Sequence, residues 1–405
     1  MRDVASPGVG RSNSVGVAQS GLGAAPIRLR WCTEDDIPNV MRFIHQHWRA
    51  GHILSRDEVL LRWQYHPRRA ATELSPGLTV VIAVVDGEIV GMLGLIPFDF
   101  NLHGMTRHGA WLSQWICAPK LRAYNVGLAL LWEVHKLKYD AILGIGVNQA
   151  GARVTAGLGF QPIPAIPRWV GVFDATRTQQ LLQTVAPFAE PRELAQALLP
   201  YVLGHRSPAP DHGSIRITPW TDSLRGPWDR FWMRSLAPCL VGPSRDSSYL
   251  LWRYIAHPRF RYEFRVAQAL GTDEVLGLSV FRVETVQGHS ARVMRIVEFL
   301  AAPSAHAALA AALVEAAREQ DVAFADFYCT RPEAGAALEA VGFRRHVGDD
   351  SALSCPSRLQ PLQADESPLT GVQWLTKDLR QRLGNLAART DVHITKSDSD
   401  QDRPN

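Results

Sequence analysis

A short turn suited to binding phosphate lies between a strand and a helix near residue 120. The stretch Pro119–Leu131 reads PKLRAYNVGLALL, and its second half is an apolar helix. Successive backbone N–H groups at a helix N-terminus, assisted by the helix dipole, bind a pyrophosphate well. The turn must let the backbone approach phosphate closely, and Gly127 and Asn125 are the residue types that tolerate the positive φ this requires. We therefore predict a diphosphate-binding turn at Arg122–Gly127.

The same residues carry a resemblance to a known family. The run Ile116–Leu131 resembles the V-x-P-x-x-R-G-x-G-[IV]-G-x-x-L-L segment of the GNAT acyltransferase superfamily, and the stretch from Asn148 to Phe160 is similar to that family's fourth helix. The resemblance implies an acetyl-CoA or other acyl-CoA co-substrate, held by backbone amides of the turn. The implied donor-binding residues are Cys117, Arg122, Asn125, Val126, Gly127 and Asn148.

The chain departs from the family pattern where acid and base are expected. Asn125 replaces a glycine, and Thr155 stands where the family often has a tyrosine that protonates the leaving thiolate. Family bases are often carboxylates on the fourth strand, but the matching residues here are Ser113 and Gln114. An alignment of the second half of the chain with the first places Glu298 opposite Gln114. Glu298 is therefore the candidate base and Thr155 the candidate acid.

The element pattern around these residues occurs twice. Residues 27–173 predict the order β-α-α-β-β-β-α-β-α, with a hairpin at Asp86-Gly87. The sequence Ser55–Asp57, followed by Trp63 and Tyr65, recurs as Ser244–Asp246, followed by Trp252 and Tyr254. The separation between the two copies, from Ser55 to Ser244, is far longer than the period of solenoid repeats and indicates a duplicated domain.

We predict an α/β (mixed α+β) protein of two tandem GNAT-like domains, each a mixed central sheet with helices on both faces. The expected parts are a disordered tail at 1–25, an acyl-CoA-binding domain at 26–174, a helical connector at 175–213, a degenerate second domain at 214–348, and an extension at 349–405. The second domain lacks the phosphate turn, so we expect it to bind substrate or to act as a scaffold.

Composition argues against a nucleic-acid-binding, disulfide-rich or membrane-spanning protein. The chain has 405 residues, a formal net charge of +4 and scattered arginines, which gives little support to nucleic-acid binding. Five separated cysteines without a CxxC pair favour a reducing compartment over disulfides or structural zinc. Neither a signal peptide nor a transmembrane run is evident, so a cytoplasmic protein without metal or membrane partners is expected.

The end of the sequence has two possible interpretations. Val392–Lys396 predicts a final strand, and the alternating Asp398, Asp400 and Asp402 resemble the start of a calcium loop that lacks its glycine and glutamate. A solvated acidic tail is the favoured interpretation. The ending is also similar to that of tandem GNAT-like proteins of bacterial polysaccharide biosynthesis, which implies a tail folded back toward the active cleft.

The sequence thus predicts an enzyme, an acyl-CoA-dependent N-acyltransferase acting on a small amine, with an amino-sugar as one candidate acceptor. Two alternatives stay open: a non-catalytic ligand-binding or scaffold protein of the same fold, and an aminoacyl-tRNA-dependent, Fem-like transferase. The intact turn and the near-neutral charge disfavour the latter. The acceptor, the acyl chain length and the oligomeric state are not specified by the sequence.

Overall fold

The computed structural model describes residues 26–66, 78–204, 214–272, 274–346, 355–359, 362 and 368–402, apart from the side chains of residues 122 and 123. The predicted tail at 1–25 lies outside the described residues. The described strands are β1 Arg28–Trp31, β2 Val80–Val85, β3 Glu88–Leu102, β4 Met105–Cys117, β5 Ala141–Ile145, β6 Gln161–Ile163, β7 Arg168–Val172, β8 Ile215–Thr218, β9 Val241–Pro243, β10 Glu263–Ala269, β11 Val275–Thr285, β12 Arg292–Ala301, β13 Val322–Tyr328, β14 Arg344–His346 and β15 Gly371–Leu375. The described helices are α1 Ile37–His47, α2 Glu58–Tyr65, α3 Val126–His135, α4 Gln149–Ala156, α5 Ala175–Val185, α6 Pro191–Leu198, α7 Arg225–Phe231, α8 Ser247–Leu250, α9 His306–Glu319, α10 Pro332–Ala340 and α11 Lys377–Leu383.

One compact unit comprises the described residues up to Leu95 together with Gln114–Lys138. In it, β1 pairs with β2, and β2 pairs with the first half of β3, both antiparallel. The β2–β3 hairpin turns at Asp86 and Gly87, whose φ values are +49° and +83°. Two consecutive residues with positive φ match the right-handed twist of the flanking strands, which confirms the hairpin predicted from the Asp-Gly pair.

The other unit comprises Ile96–Ser113 and the described residues from Tyr139 onward. It contains a seven-stranded sheet in the order β14-β7-β13-β12-β11-β10-β8. Only β12 and β13 run parallel among these neighbours, and the other pairs are antiparallel. Helix α9 buries nine of its residues, most of them alanines, and six of the nine pack in one cluster with strands of this sheet. Helices α7 and α8 cover other residues of the same strands, so the sheet carries helices on both faces.

Two strands of this unit lie away from the elements that neighbour them in sequence. Strand β15 pairs antiparallel with β5 on one side and with β6 on the other. Strand β7 pairs with β13 on one side and with β14 on the other. Strand β7, the last strand of the first repeat, therefore pairs with strands of the second repeat, and β15, which follows the second repeat, pairs with strands of the first. The domain boundaries predicted near residues 174 and 214 stay a prediction.

Mixed sheets flanked by helices confirm the predicted α/β class. Helices α5 and α6 lie in the segment predicted as a connector, and their residues Leu181 and Leu194 pack against Val172 and Phe324 of the seven-stranded sheet. A connector role for this segment stays a prediction. The described helices include none that is both long and apolar enough to cross a membrane.

Candidate functional site

The predicted phosphate turn forms a defined structure in the first unit. Residues Pro119–Tyr124 make a 3₁₀ turn, Asn125 follows with φ +56° and ψ +25°, and α3 begins at Val126. Asn125 is thus left-handed, the conformation for which glycine and asparagine are best suited. Because the first N–H groups of a helix have no acceptor within it, α3 presents amide donors directly after this turn. The positive φ expected at Asn125 is confirmed, whereas Gly127 lies inside α3 and does not have positive φ. Phosphate binding by this turn stays a prediction.

Close packing fixes the start of α3 on the sheet. Val126 is buried, and a Cβ on Gly91 of β3 would lie 2.8 Å from its Cγ1 and 3.2 Å from Cδ1 of Leu130. A side chain at position 91 would therefore push the helix outward. Gly91 of β3 therefore allows the N-terminal end of α3 to pack closely against the strand.

Trp115 and Cys117 lie beside the first turn of α3. The Trp115 indole Nε1 donates to the carbonyl oxygen of Gly127 at 3.2 Å. A Cβ on Gly127 would lie 3.2 Å from that nitrogen and 3.4 Å from the Cys117 sulfur. Cys117 is half-buried. The structure therefore brings together Cys117, Asn125, Val126 and Gly127, whereas the side chain of Arg122 lies outside what is described.

Strand β4 is irregular at Gln114, one of the two positions at which the family resemblance implies a base. Gln114 is buried and has φ +48°, although it lies inside a strand and is not glycine. A left-handed residue in a strand kinks the backbone and redirects its N–H and C=O groups. Such irregularities are typical of strands next to active sites. No carboxylate was predicted at this position, and the unusual conformation of Gln114 was not visible in the sequence.

The second unit contains Asn148 and Thr155, and both have local structural contacts. The Asn148 side chain caps α4, with its Oδ1 accepting from the Gly151 N–H at 2.8 Å. The Thr155 hydroxyl lies within 3.0 Å of the carbonyl oxygens of Gly151 and Ala152 in its own helix. Thr155 is buried. The donor-binding role of Asn148 and the acid role of Thr155 stay predictions.

The candidate base Glu298 lies inside a buried ion-pair network in the second unit. Its Oε2 accepts from Nε of Arg245, and its Oε1 contacts Nε2 of His393, each at 2.5 Å. Burial by itself raises the pKa of Glu298, but Arg245 and His393 outweigh burial and hold the pKa at about 2. Glu298 is therefore an ionised partner of two neighbours. To act as a general base, Glu298 would have to leave its ion pairs with Arg245 and His393. The role of Glu298 as a base stays a prediction.

The end of the described chain corrects one interpretation made from sequence. Every residue of Val392–Asp400 is buried, and so is Asp402. Val392 and Thr395 make isolated bridges to Val241 and Cys329 rather than a regular strand. A solvated tail is therefore wrong, because these residues are buried and Asp398 and Asp402 contact the buried cations Arg245 and Arg282. Within the described ranges, no group of three or more His, Cys, Asp or Glu residues is arranged to hold a metal ion.

Sequence reasoning missed the buried cations that receive this segment. Arg245 is fully buried, and its Nη2 donates to both carboxylate oxygens of Asp398 at 2.7 and 2.8 Å. Arg245 is the central residue of the repeated Ser244–Asp246 triplet. The repeat therefore drew attention to this position, but it did not indicate that Arg245 is a buried partner of an aspartate. Arg253 and Arg282 are also buried.

Comparison with known proteins gives little direct identification. No family model matches the chain. No curated protein matches it. Among solved structures, the chain is similar to the crystal structure of a GCN5-related N-acetyltransferase from Kribbella flavida, at 13% sequence identity and a TM-score of 0.49. The match covers 87% of this chain and 71% of that one.

Proposed function

We propose that this chain is an acyl-CoA-dependent N-acyltransferase that transfers an acetyl or other short acyl group to a small amine. The observation that carries the proposal is the left-handed Asn125 placed directly before the amide end of α3. This arrangement fits a pyrophosphate, and the sequence around it resembles the GNAT donor segment. An amino-sugar is the acceptor class that we propose to test first.

A bound acyl-CoA would supply an activated thioester carbonyl to an attacking amine. The residues of this chain would act mainly by positioning, which can supply much of the rate of a bimolecular transfer. The amides of Val126 and Gly127 would hold the pyrophosphate. The kinked backbone at Gln114 would present fixed dipoles where charge develops on the carbonyl oxygen.

The matching positions on β4 offer no carboxylate base, and Glu298 is engaged in buried ion pairs. This observation favours a second candidate function: an acyl-CoA-binding protein that does not catalyse transfer. The two functions share the donor turn and differ in whether free thiol is released. The five cysteines, all within the described ranges, form no disulfide, which supports action in a reducing compartment, and we place the activity in the cytoplasm.

The donor site is tested by calorimetry with acyl-CoAs of several chain lengths. Gly127→Glu would place a carboxylate beside the amide end of α3, so we expect loss of detectable binding. Gly204→Glu is the matched control, because nothing lies within 4 Å of a Cβ at that position. Arg122→Glu is a second variant in case Gly127→Glu does not fold. Wild-type binding by both folded variants would overturn the donor-site assignment.

Catalysis is tested separately by release of free coenzyme A thiol on mixing acyl-CoA with amines, including amino-sugars. Turnover that depends on amine supports the transferase, and binding without turnover across the amine panel supports the non-catalytic protein. Transfer of an aminoacyl group from aminoacyl-tRNA to the amine, without release of thiol and abolished by RNase, would instead indicate an aminoacyl-tRNA donor. A thermal-shift screen selects the acyl chain, because a ligand at 100 times its Kd adds about 2.7 kcal/mol of stability.

A further inference from the structure

The parallel strands β12 and β13 separate near the middle of the seven-stranded sheet. Their register of partners ends at Ile296 and Phe327. Beyond this point β12 continues to Ala301, and β13 continues through Tyr328 toward Cys329. The register between β11 and β12 also shifts here and skips Val297. The sheet is therefore open on the side where β12 and β13 diverge.

The residues Val392–Asp402, here called the tail segment, fill this opening. On the β13 side, Thr395 bridges Cys329, and the Thr330 N–H donates to the Ile394 carbonyl oxygen at 3.0 Å. On the β12 side, the Ser397 hydroxyl donates to the carbonyl oxygen of Val297 at 3.2 Å. The tail segment thus makes hydrogen bonds with β12 and with the residues that directly follow β13, in the manner of a peptide added to a sheet edge.

Strand β9 closes a further side of the tail segment. The His393 N–H donates to the Val241 carbonyl oxygen at 2.9 Å, and the Val241 N–H donates to the Asp391 carbonyl oxygen at 3.0 Å. Gly242 has φ +138°, and a Cβ there would lie 2.5 Å from the His393 carbonyl oxygen. Glycine is required at this close approach of two backbones.

Two carboxylates of the tail segment, four residues apart, meet separate buried cations. Asp398 binds Arg245 through both oxygens. Asp402 accepts from Arg282 at 3.1 Å and from the Tyr262 hydroxyl at 2.8 Å. Charged groups of this kind are stable in a protein interior only when they are paired. The cleft therefore selects for acidic groups at both positions.

The helical segment Leu251–Ile255, which follows α8, contacts the residues between these aspartates. Arg253 donates to the Ser397 carbonyl oxygen at 2.7 Å and to that of Ser399 at 3.3 Å. The Tyr254 hydroxyl contacts the Ser397 hydroxyl at 2.7 Å. Most of these contacts are polar and directional, as in a binding site for a peptide.

We propose that the opening between β12 and β13 is a peptide-binding cleft, and that its ligand is an acidic segment supplied by the chain itself. The ligand class is an extended peptide with carboxylates at two positions four residues apart. Glu298 of β12 is the residue that aligns with Gln114, the irregular position of β4. At that position of the second repeat the tail segment already occupies the opening between the strands. The proposal does not depend on acyl transfer.

The test uses the full chain with a site-specific protease sequence inserted after Thr390, an exposed residue that precedes the tail segment. After cleavage, the nicked protein is passed through gel filtration and then mixed with excess fluorescent peptide corresponding to residues 391–402. We expect the tail to remain bound during gel filtration and the labelled peptide to exchange into the cleft below the unfolding midpoint. Immediate loss of the tail with an unchanged Tm would overturn the proposal. Failure of exchange below the unfolding midpoint would also overturn it, because the tail would then be ordinary core.

Peptide variants measure the selectivity of the cleft. An Asp398→Asn peptide loses the charge that faces Arg245, and we expect it to bind about 30-fold more weakly or worse. A Ser399→Ala peptide is the matched control, because the Ser399 hydroxyl donates to Asp400 within the peptide. Binding of the Asp398→Asn peptide with unchanged affinity would contradict the proposed recognition.

Discussion

Glu298 belongs to a buried cluster in which each charged side chain is stabilised by its neighbours. It lies between Arg245 and His393, and Arg245 also binds Asp398. The desolvation of each of these groups is offset only while its partners are present. Removal of one charge therefore affects the whole cluster, and its effect should depend on pH.

Glu298→Gln should lower the free energy of unfolding by about 3 kcal/mol at pH 7, the scale of a broken buried ion pair. The native pKa of Glu298 is about 2, below the ordinary value of 4.5. The native state thus binds fewer protons than the unfolded state between these values, so stability rises with pH across that window. The difference between wild type and variant should be constant above about pH 4.5 and should shrink as the pH falls toward 2.

Urea denaturation at several pH values measures this difference. Glu319→Gln, at an exposed position near the end of α9, is the matched control and should change stability little at any pH. If Glu298→Gln lowers the free energy of unfolding by the same amount at pH 3 and pH 7, the loss comes from the altered shape of the side chain and not from its charge.

Asn125 tests the backbone of the donor turn. Its φ of +56° disfavours branched side chains, so Asn125→Val should lower the free energy of unfolding by about 1–2 kcal/mol, whereas Asn125→Gly should be close to wild type. Asn125 is exposed, so lost packing contributes little. Chemical denaturation with parallel acyl-CoA titration checks both effects. Equal stability of the two variants would argue against a left-handed residue at this position.

At the scale of elements, local chemistry determined what could be predicted. The Asp86-Gly87 hairpin and the turn before α3 were predicted because their signals lie within a few residues. Strand β15 was missed because its place depends on β5 and β6, which are more than 200 residues earlier in the chain. The burial of the tail segment was missed for the same reason, since its acidic sequence is indistinguishable from a solvated tail until Arg245 and Arg282 face it.

Strand β15 occupies a position without space for even a methyl group. A Cβ on Gly371 would lie 2.3 Å from the carbonyl oxygen of Gly144 in β5. Gly371→Ala should therefore displace the strand and lower the free energy of unfolding by about 1–3 kcal/mol. Gly204→Ala, in open space, is the control for loss of glycine. Thermal and urea denaturation of the two variants should differ clearly, and equal stability would contradict the close approach.

At the scale of the whole molecule, the two sequence repeats do not correspond to two self-contained sheets. Strand β7 belongs to the first repeat but lies between β13 and β14, and β15 follows the second repeat but lies between β5 and β6. Each strand has partners on both sides. A duplicated domain stays a prediction from the order of elements, and the two repeats depend on each other for strand pairing.

This exchange predicts how the chain responds to division between Gly204 and Ser214. The fragment 1–204 would lack β15, leaving facing edges of β5 and β6 unpaired, and the fragment 214–405 would lack β7 between β13 and β14. Unpaired edges in a sheet promote aggregation, so each fragment alone should be poorly soluble and should melt without a cooperative transition. Co-expressed fragments should co-purify through a tag on one of them and recover a cooperative melt. The intact chain with a flexible linker inserted at the same point is the control, because the insertion keeps both strands. A cooperative melt of either fragment alone, near the Tm of the intact chain, would show that the exchanged strand is dispensable.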